Sequence, residues 1–286
     1  MEKIVFLGPY GSTFSWEAYY KASLKYDYLP KFNDENVVLL PVKSNKDVLP
    51  VIFSNSDSYG ILAVETKAQG RIDESVEQLM KLLNEKTIYI LCAIKIKISF
   101  CLMVRPGVNK NEIKGILAHE KAFGACEKNT KLISANLVEV GSNGLATEMV
   151  ANNKKYAKYA AIGPRFAAEK MGLEILESNF EDEEAWTTFF IFGPSNLKRD
   201  IAQNNRALVI FISKNERGSL VKALNPLENV NLIHLHSANI SGSEYAFLAE
   251  IEIPKEEILL FQESISGLEK QVARSIVFGP FCIEEI

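Results

Sequence analysis

From Lys3 to Phe192, short apolar runs of strand character alternate with segments of helical periodicity, and that alternation confines the chain to an α/β architecture. A sheet built this way is buried beneath helices, and open sheets of the class bind ligands at the carboxyl ends of their strands. The pattern predicts strands at Lys3–Leu7, Val37–Val42, Gly60–Val64, two within Tyr89–Val104, then Ile116–Ala118, Leu137–Val140, Tyr159–Ile162 and Thr187–Phe192. Helices are predicted at Phe14–Leu24, Asn45–Ser54, Asp73–Leu83, Lys121–Asn129, Gly144–Asn152 and Pro164–Met171.

The pattern changes after Phe192. Gly193–Asn205 is polar and reads as a linker or hinge. Beyond it come strand Ala207–Ile212, helix Gly218–Leu227, strands Asn231–Ser237 and Tyr245–Ile253, helix Glu256–Lys270 and strand Ser275–Phe278. That βαββαβ order is ferredoxin-like. The expected organisation is therefore a region over residues 1–193, a linker over 194–205 and a second unit over 206–286.

Composition narrows the classes of function. A net charge of −4 with no basic block argues against a nucleic-acid partner, which needs clustered cations. The four cysteines have no CxxC spacing and the chain has three histidines, so neither a disulfide framework nor a structural metal site is expected. Ile88–Val104 is apolar but interrupted by Lys95 and Lys97, which is strand periodicity rather than a membrane span. The first residues lack the apolar core of a secretory signal, and a cytoplasmic protein is expected.

Three segments carry chemical information. Phe6-Leu7-Gly8-Pro9-Tyr10-Gly11-Ser12-Thr13-Phe14-Ser15 is a strand entering a Gly/Ser/Thr turn before a helix, which offers backbone N–H groups and hydroxyls to an anion. Gly60 to Ile72 places the polar cluster Glu65-Thr66-Lys67 directly after a buried strand. Glu184-Ala185-Trp186-Thr187-Thr188-Phe189 opens the last strand of the first region.

Taken together and in this order, the three resemble the signatures of the prephenate dehydratase family: a GPxGTFS-type N-terminus, an ENSxxG loop and a Thr-Arg-Phe motif. His119-Glu120-Lys121-Ala122-Phe123-Gly124-Ala125-Cys126 is similar to the family's His-Pro-Gln-Ala-x-x-x-Cys stretch, and Ala160-Ala161-Ile162 with Ala167–Leu173 to another of its segments. Arg217-Gly218-Ser219-Leu220 and Asn231–Ser237 resemble the turn and strand of an ACT domain. Thr66, Lys67, Lys121 and Thr188 stand where the family has Asn, Ser, Gln and Arg, and the strand motif of the ACT part is also changed, at His236, Ala238 and Asn239.

The resemblance implies a two-lobed fold like that of periplasmic binding proteins, followed by a ferredoxin-like ACT domain. It implies a carbon–oxygen lyase that converts prephenate to phenylpyruvate in phenylalanine biosynthesis, without metal or organic cofactor. Thr187 is implied as the catalytic hydroxyl, its hydrogen bond supporting the departing ring hydroxyl. Thr13, Ser15, Glu65, Thr66, Lys67, Gly70, Lys121, Ser142, Thr188 and Phe189 are implied to hold the dicarboxylate. Gly218, Ser219, Leu220 and Ser237 are implied to hold phenylalanine or another amino-acid effector, in a homodimer or homotetramer. The changed motif positions leave two alternatives open, a decarboxylase that does not aromatise its product and a ligand-binding relative without turnover. Of the remaining residues, Cys126 reads as core, His234 and His236 as structural, and the acidic run Glu181–Glu184 as a solvated turn.

Overall fold

The computed structural model describes residues 1–67, 70–84, 88–194, 205–241, 244–253 and 257–286. Residues 195–204 of the expected linker, Ala68 and Gln69 of the polar loop, and Glu256 lie outside these. Two sheets organise the chain. The larger contains β1 (Glu2–Leu7), β2 (Val37–Val42), β3 (Ser58–Thr66), β4 (Gly70–Arg71) and β5 (Ile88–Ile98). The smaller is built from β6 (Cys101–Val104), β7 (Gly115–Ala118), β8 (Asn136–Glu139), β9 (Tyr159–Gly163) and β10 (Glu174–Ser178), in the order β10-β6-β9-β7-β8.

The chain leaves the first sheet at β5, forms the second, and returns through β11 (Ala185–Pro194), which lies between β5 and β3 and antiparallel to both. Two crossings thus join two lobes, as expected from the sequence. One apolar cluster is shared by them: Ile4 and Phe6 of β1 and Ile94 and Ile96 of β5 belong to the same core as Ile116 and Ala118 of β7.

Local sequence chemistry sets the helix starts. In α1 (Phe14–Lys25) the Thr13 hydroxyl accepts from the Trp16 N–H at 3.2 Å, with Glu17 in the first turn and Lys25 in the last, each favourable to the helix dipole. α2 (Val48–Phe53) and α3 (Asp73–Lys81) cover one face of the first sheet. The helix expected over Lys121–Asn129 is divided at Cys126 into α4 (Glu120–Ala125) and α5 (Glu127–Lys131). The cause lies in the acidic run, which is not an idle turn: the Asp182 carboxylate accepts from the Lys128 and Asn129 N–H groups at 2.8 and 3.1 Å, and so forms the start of a second helix. Glu181 likewise accepts from the Phe100 N–H at 2.7 Å. In the second lobe α6 (Asn143–Asn152) and α7 (Arg165–Met171) pack on the sheet, and Gly172, at φ +65°, ends α7.

The C-terminal part follows the order β12 (Arg206–Ser213), α8 (Ser219–Leu224), β13 (Asn231–Ser241), β14 (Glu244–Glu252), α9 (Ile258–Gln271) and β15 (Val272–Glu285), with strands arranged β13-β14-β12-β15. This is the ferredoxin-like topology. Val209 and Phe211 face the core under α8 and α9, while Leu208 and Ile210 join the core of the first lobe.

The last strand departs from expectation. Predicted to end at Phe278, β15 continues to Glu285 and pairs in parallel with β5 through Cys282↔Cys92 to Glu285↔Lys95, so the C-terminal sheet is continuous with the first. Phe281, fully buried, explains the extension: its ring sits 5.4 Å from that of Phe190, edge to face. All four cysteines are free and buried. Among the described residues no helix is long and apolar enough to cross a membrane, and no group of His, Cys, Asp and Glu could hold a metal ion. Phe281→Ala is expected to cost about 3–5 kcal/mol, since it opens a cavity where the two sheets join; the fall in urea midpoint measures it.

Candidate functional site

A cleft of about 1350 Å³ lies between the lobes, lined by Ser12, Thr13 and Ser15 from the first turn, Thr66 and Lys67 from the end of β3, and Thr187 and Phe189 from β11. The second lobe contributes His119, Lys121, Ser142 and Asn143, among others. The site therefore draws on both sheets.

Each contribution has a local cause. Thr187 pairs in register with Thr66 on one side and Ile96 on the other. Neighbours across a sheet stand about 4.5–5.5 Å apart at Cβ, which sets the two threonines side by side at the cleft floor. The Lys67 N–H donates to the Trp186 carbonyl at 2.9 Å and straps the polar loop to β11. Thr187 is 8% exposed, and its hydroxyl makes no hydrogen bond to any described residue, so it is available to a ligand.

Thr13 differs. Its hydroxyl donates to the Leu7 carbonyl at 2.7 Å while accepting from Trp16, so it is committed to shaping the turn that brings the buried Ser12 and Ser15 to the cleft wall. Ser142 caps α6, accepting from the Leu145 N–H at 3.1 Å, and Asn143 accepts from the His119 N–H at 2.9 Å. The N-termini of α1 and α6 thus both open onto the cleft, where the helix dipoles favour negative charge. Four lysines line it, Lys43, Lys67, Lys121 and Lys131, against Glu74, Glu120 and Glu127.

Loop Gly8–Ser12 and the second lobe meet closely at one end. A Cβ on Gly144 would lie 2.7 Å from Pro9 Cδ and 3.0 Å from the Ser12 carbonyl oxygen. Lys170 of α7 donates to the Tyr10 carbonyl and sits 4.6 Å from its ring centroid; burial there holds its ammonium below the usual lysine range.

Of the residues expected to hold substrate, Thr13, Ser15, Thr66, Lys67, Lys121, Ser142 and Phe189 line the cleft with Thr187, whereas Glu65, Gly70 and Thr188 do not. Thr188 alternates with Thr187 and faces the other side of β11. For Glu65 the reason is a β-bulge: Thr188 pairs with Glu65 but Phe189 pairs with Ala63, leaving Val64 as an extra residue of β3. Unbroken alternation would put Glu65 on the same face as Ala63, which lines the cleft; the bulge reverses the phase, turning Thr66 inward and Glu65 outward. Glu65 Oε1 then lies 3.4 Å from His234 Nε2 on β13. Burial and the nearby Arg71 cation lower the proton affinity of His234. Lys43 and Asn143 escaped the sequence reading; both follow strand ends, which is the one signal that could have found them. The residues expected to hold an effector stand apart from the cleft: Gly218, at φ +76°, turns the chain into Ser219 and Leu220 of α8, and Ser237 is exposed on β13.

Comparisons with known proteins bear on the family and the fold. The chain is 28% identical over 239 residues to the prephenate dehydratase of Corynebacterium glutamicum, covering 82% of this chain and 72% of that one. Its fold superposes with a TM-score of 0.80 on the prephenate dehydratase of Arthrobacter aurescens in complex with L-Phe, at 20% identity and covering 97% and 88% of the two chains. It superposes equally, at 0.80 and 23% identity over 97% of both chains, on GqqA, described as a novel type of quorum quenching acylase. The sequence profile of the prephenate dehydratases matches residues 4–196, and the chain belongs to that family.

Proposed function

We propose that the chain converts prephenate to phenylpyruvate, water and CO2. The observation that carries this reading is the free Thr187 hydroxyl at the floor of an interlobe cleft that favours anions. Prephenate brings two carboxylates, and the N-termini of α1 and α6 with Lys67 and Lys121 supply positive potential from both lobes. In the reaction the ring carboxylate leaves as CO2, the electrons of its C–C bond enter the ring, and the C–O bond opposite breaks. The departing hydroxide takes up a proton and leaves as water.

Aromatisation drives these steps, so the protein's task is to hold the dianion and stabilise the charge that grows on the leaving oxygen. A threonine hydroxyl is too weak an acid to yield its proton outright near neutral pH. It donates a hydrogen bond that strengthens as the C–O bond breaks, which is differential stabilisation of the transition state. Phe189 and Phe100 give the ring an apolar wall.

The C-terminal unit is read as an ACT-type regulatory domain that takes an amino-acid effector around Gly218–Leu220 and Ser237. Its ferredoxin-like topology supports this, as does the L-Phe bound to the Arthrobacter aurescens relative. Strand β13 has an unpaired outer edge among the described residues, which supports a homodimer or homotetramer. A cytoplasmic enzyme with a prephenate-like dicarboxylate as its substrate completes the reading.

Incubating the purified chain with prephenate and following the product by absorbance and mass tests it. Phenylpyruvate is expected; a decarboxylated product that stays non-aromatic, or no product, would sink the proposal. Thr187→Ala should lower kcat about 10²–10³-fold with an unchanged circular dichroism spectrum. Lys67→Ala and Lys121→Ala should each raise KM for prephenate about tenfold, an effect that fades in high salt. Gly144→Ala forces its Cβ against the Pro9 ring and the Ser12 carbonyl, so KM should rise severalfold and the melting temperature should fall as well; steady-state kinetics beside a melting curve measure the two.

A further inference from the structure

The hairpin that follows the polar loop carries a residue with no evident business in a sheet interior. Arg71 lies on β4, directly opposite Glu65 of β3, and Gly70 lies opposite Thr66. Because the bulge sends Glu65 away from the cleft, its partner Arg71 points the same way, into the junction with the C-terminal sheet. Its side chain is 2% exposed and pairs there with Glu250 of β14, itself 5% exposed. The guanidinium carbon lies 5.7 Å from the ring centroid of Phe190.

Around this pair stand other charges from the same two surfaces. Arg206 of β12 approaches Glu250 at 3.8 Å and pairs with Glu252 at 2.7 Å, and Glu65 meets His234. A charge pair buried this completely adds little stability over an apolar pair of equal size, because both ions lose their water. What it adds is direction. Leucines would let the hairpin slide or rotate, whereas a guanidinium must meet its carboxylate.

The opposite face of the same few residues lines the cleft: Thr66 and Lys67 before the turn, Ile72 and Glu74 after it. The Ile72 N–H donates to the Val64 carbonyl at 3.0 Å, which ties the two arms of the hairpin together. We infer that Arg71 is a positioning residue: anchored by Glu250 of the C-terminal sheet, it sets Thr66 and Lys67 against the substrate, and the binding site is complete only while that sheet is docked. The inference rests on the prephenate reading of the cleft. Thr187, secured by the ladders of β3 and β5, is less dependent on the anchor, so affinity and turnover should separate.

The test compares the full chain with Glu250→Gln, which strands the buried guanidinium, and with the double variant Arg71→Leu, Glu250→Leu, which removes both charges and keeps the fold available if the single variant fails to fold. Prephenate kinetics and amide hydrogen exchange are measured on each. The expected result is a KM raised at least tenfold with kcat within about threefold, and at least tenfold faster exchange at the Lys67 amide. Exchange in the Ile94–Phe189 part of the β5–β11 ladder should not change. Arg71→Lys, which keeps the charge but not the planar fork, should fall between. Unchanged exchange at Lys67 in the folded variants overturns the inference, and so does faster exchange with an unchanged KM. If the parent chain turns over no prephenate, the functional reading fails by itself, while exchange at Lys67 still decides whether Glu250 anchors the hairpin.

Discussion

Strand β11 is hydrogen-bonded along both edges, to β3 and to β5, and most of the molecule is arranged by that fact. It enters from the second lobe and lies antiparallel to both neighbours, so the chain cannot return to the first sheet without closing a cleft beside it. Its side chains alternate. Thr187 and Phe189 face the cleft, whereas Phe190 and Phe192 enter the core beneath α2 and α3. A strand paired on both sides has little freedom to drift, so the Thr187 hydroxyl proposed to act on the substrate is held in fixed geometry.

The same sheet carries the C-terminal unit. Had β15 ended at Phe278, that unit would touch the first lobe through side chains alone. Continuing to Glu285, it adds a ladder of backbone bonds to β5, the strand next to β11. Leu208, Ile210 and Phe278 then share a core with Leu62, Val64 and Phe190. A displacement of the C-terminal sheet has to be accommodated in that core, because packed interiors repack rather than stretch.

Much of this was legible in the residues. Alternation of strand and helix signals gave the α/β class, the change after Phe192 marked where the pattern turns to βαββαβ, and Thr187, Lys67, Lys121 and Ser142 do line one cleft. What stayed hidden was phase. Glu65 and Thr188 were expected beside the substrate, and only the extra residue at Val64 turns Glu65 away; a bulge leaves no mark in composition or period. Thr188, beside Thr187 on a regular strand, has to face the other side. The acidic run Glu181–Glu184 looked like a solvated turn because its partners, the N–H groups of Lys128, Asn129 and Phe100, are far away in sequence. The end of β15 was hidden for the same reason, since Gly279-Pro280 reads as a stop in isolation.

Reversal of phase at Val64 also separates two electrostatic tasks that a straight strand would have merged. A ligand with two carboxylates needs cations near it and carboxylates kept away. With Glu65 facing the cleft, its negative charge would stand beside Lys67 and offset it. Turned outward, it meets His234 instead, and does not offset Lys67 in the cleft. On the outward face Arg71 and Arg206 meet Glu250 and Glu252, and His234 meets Glu65, at the boundary between the units. The one-residue irregularity that keeps a carboxylate out of the cleft is thus the same one that creates a charged seam behind it, so the affinity of the cleft and the docking of the C-terminal sheet rest on a common piece of backbone.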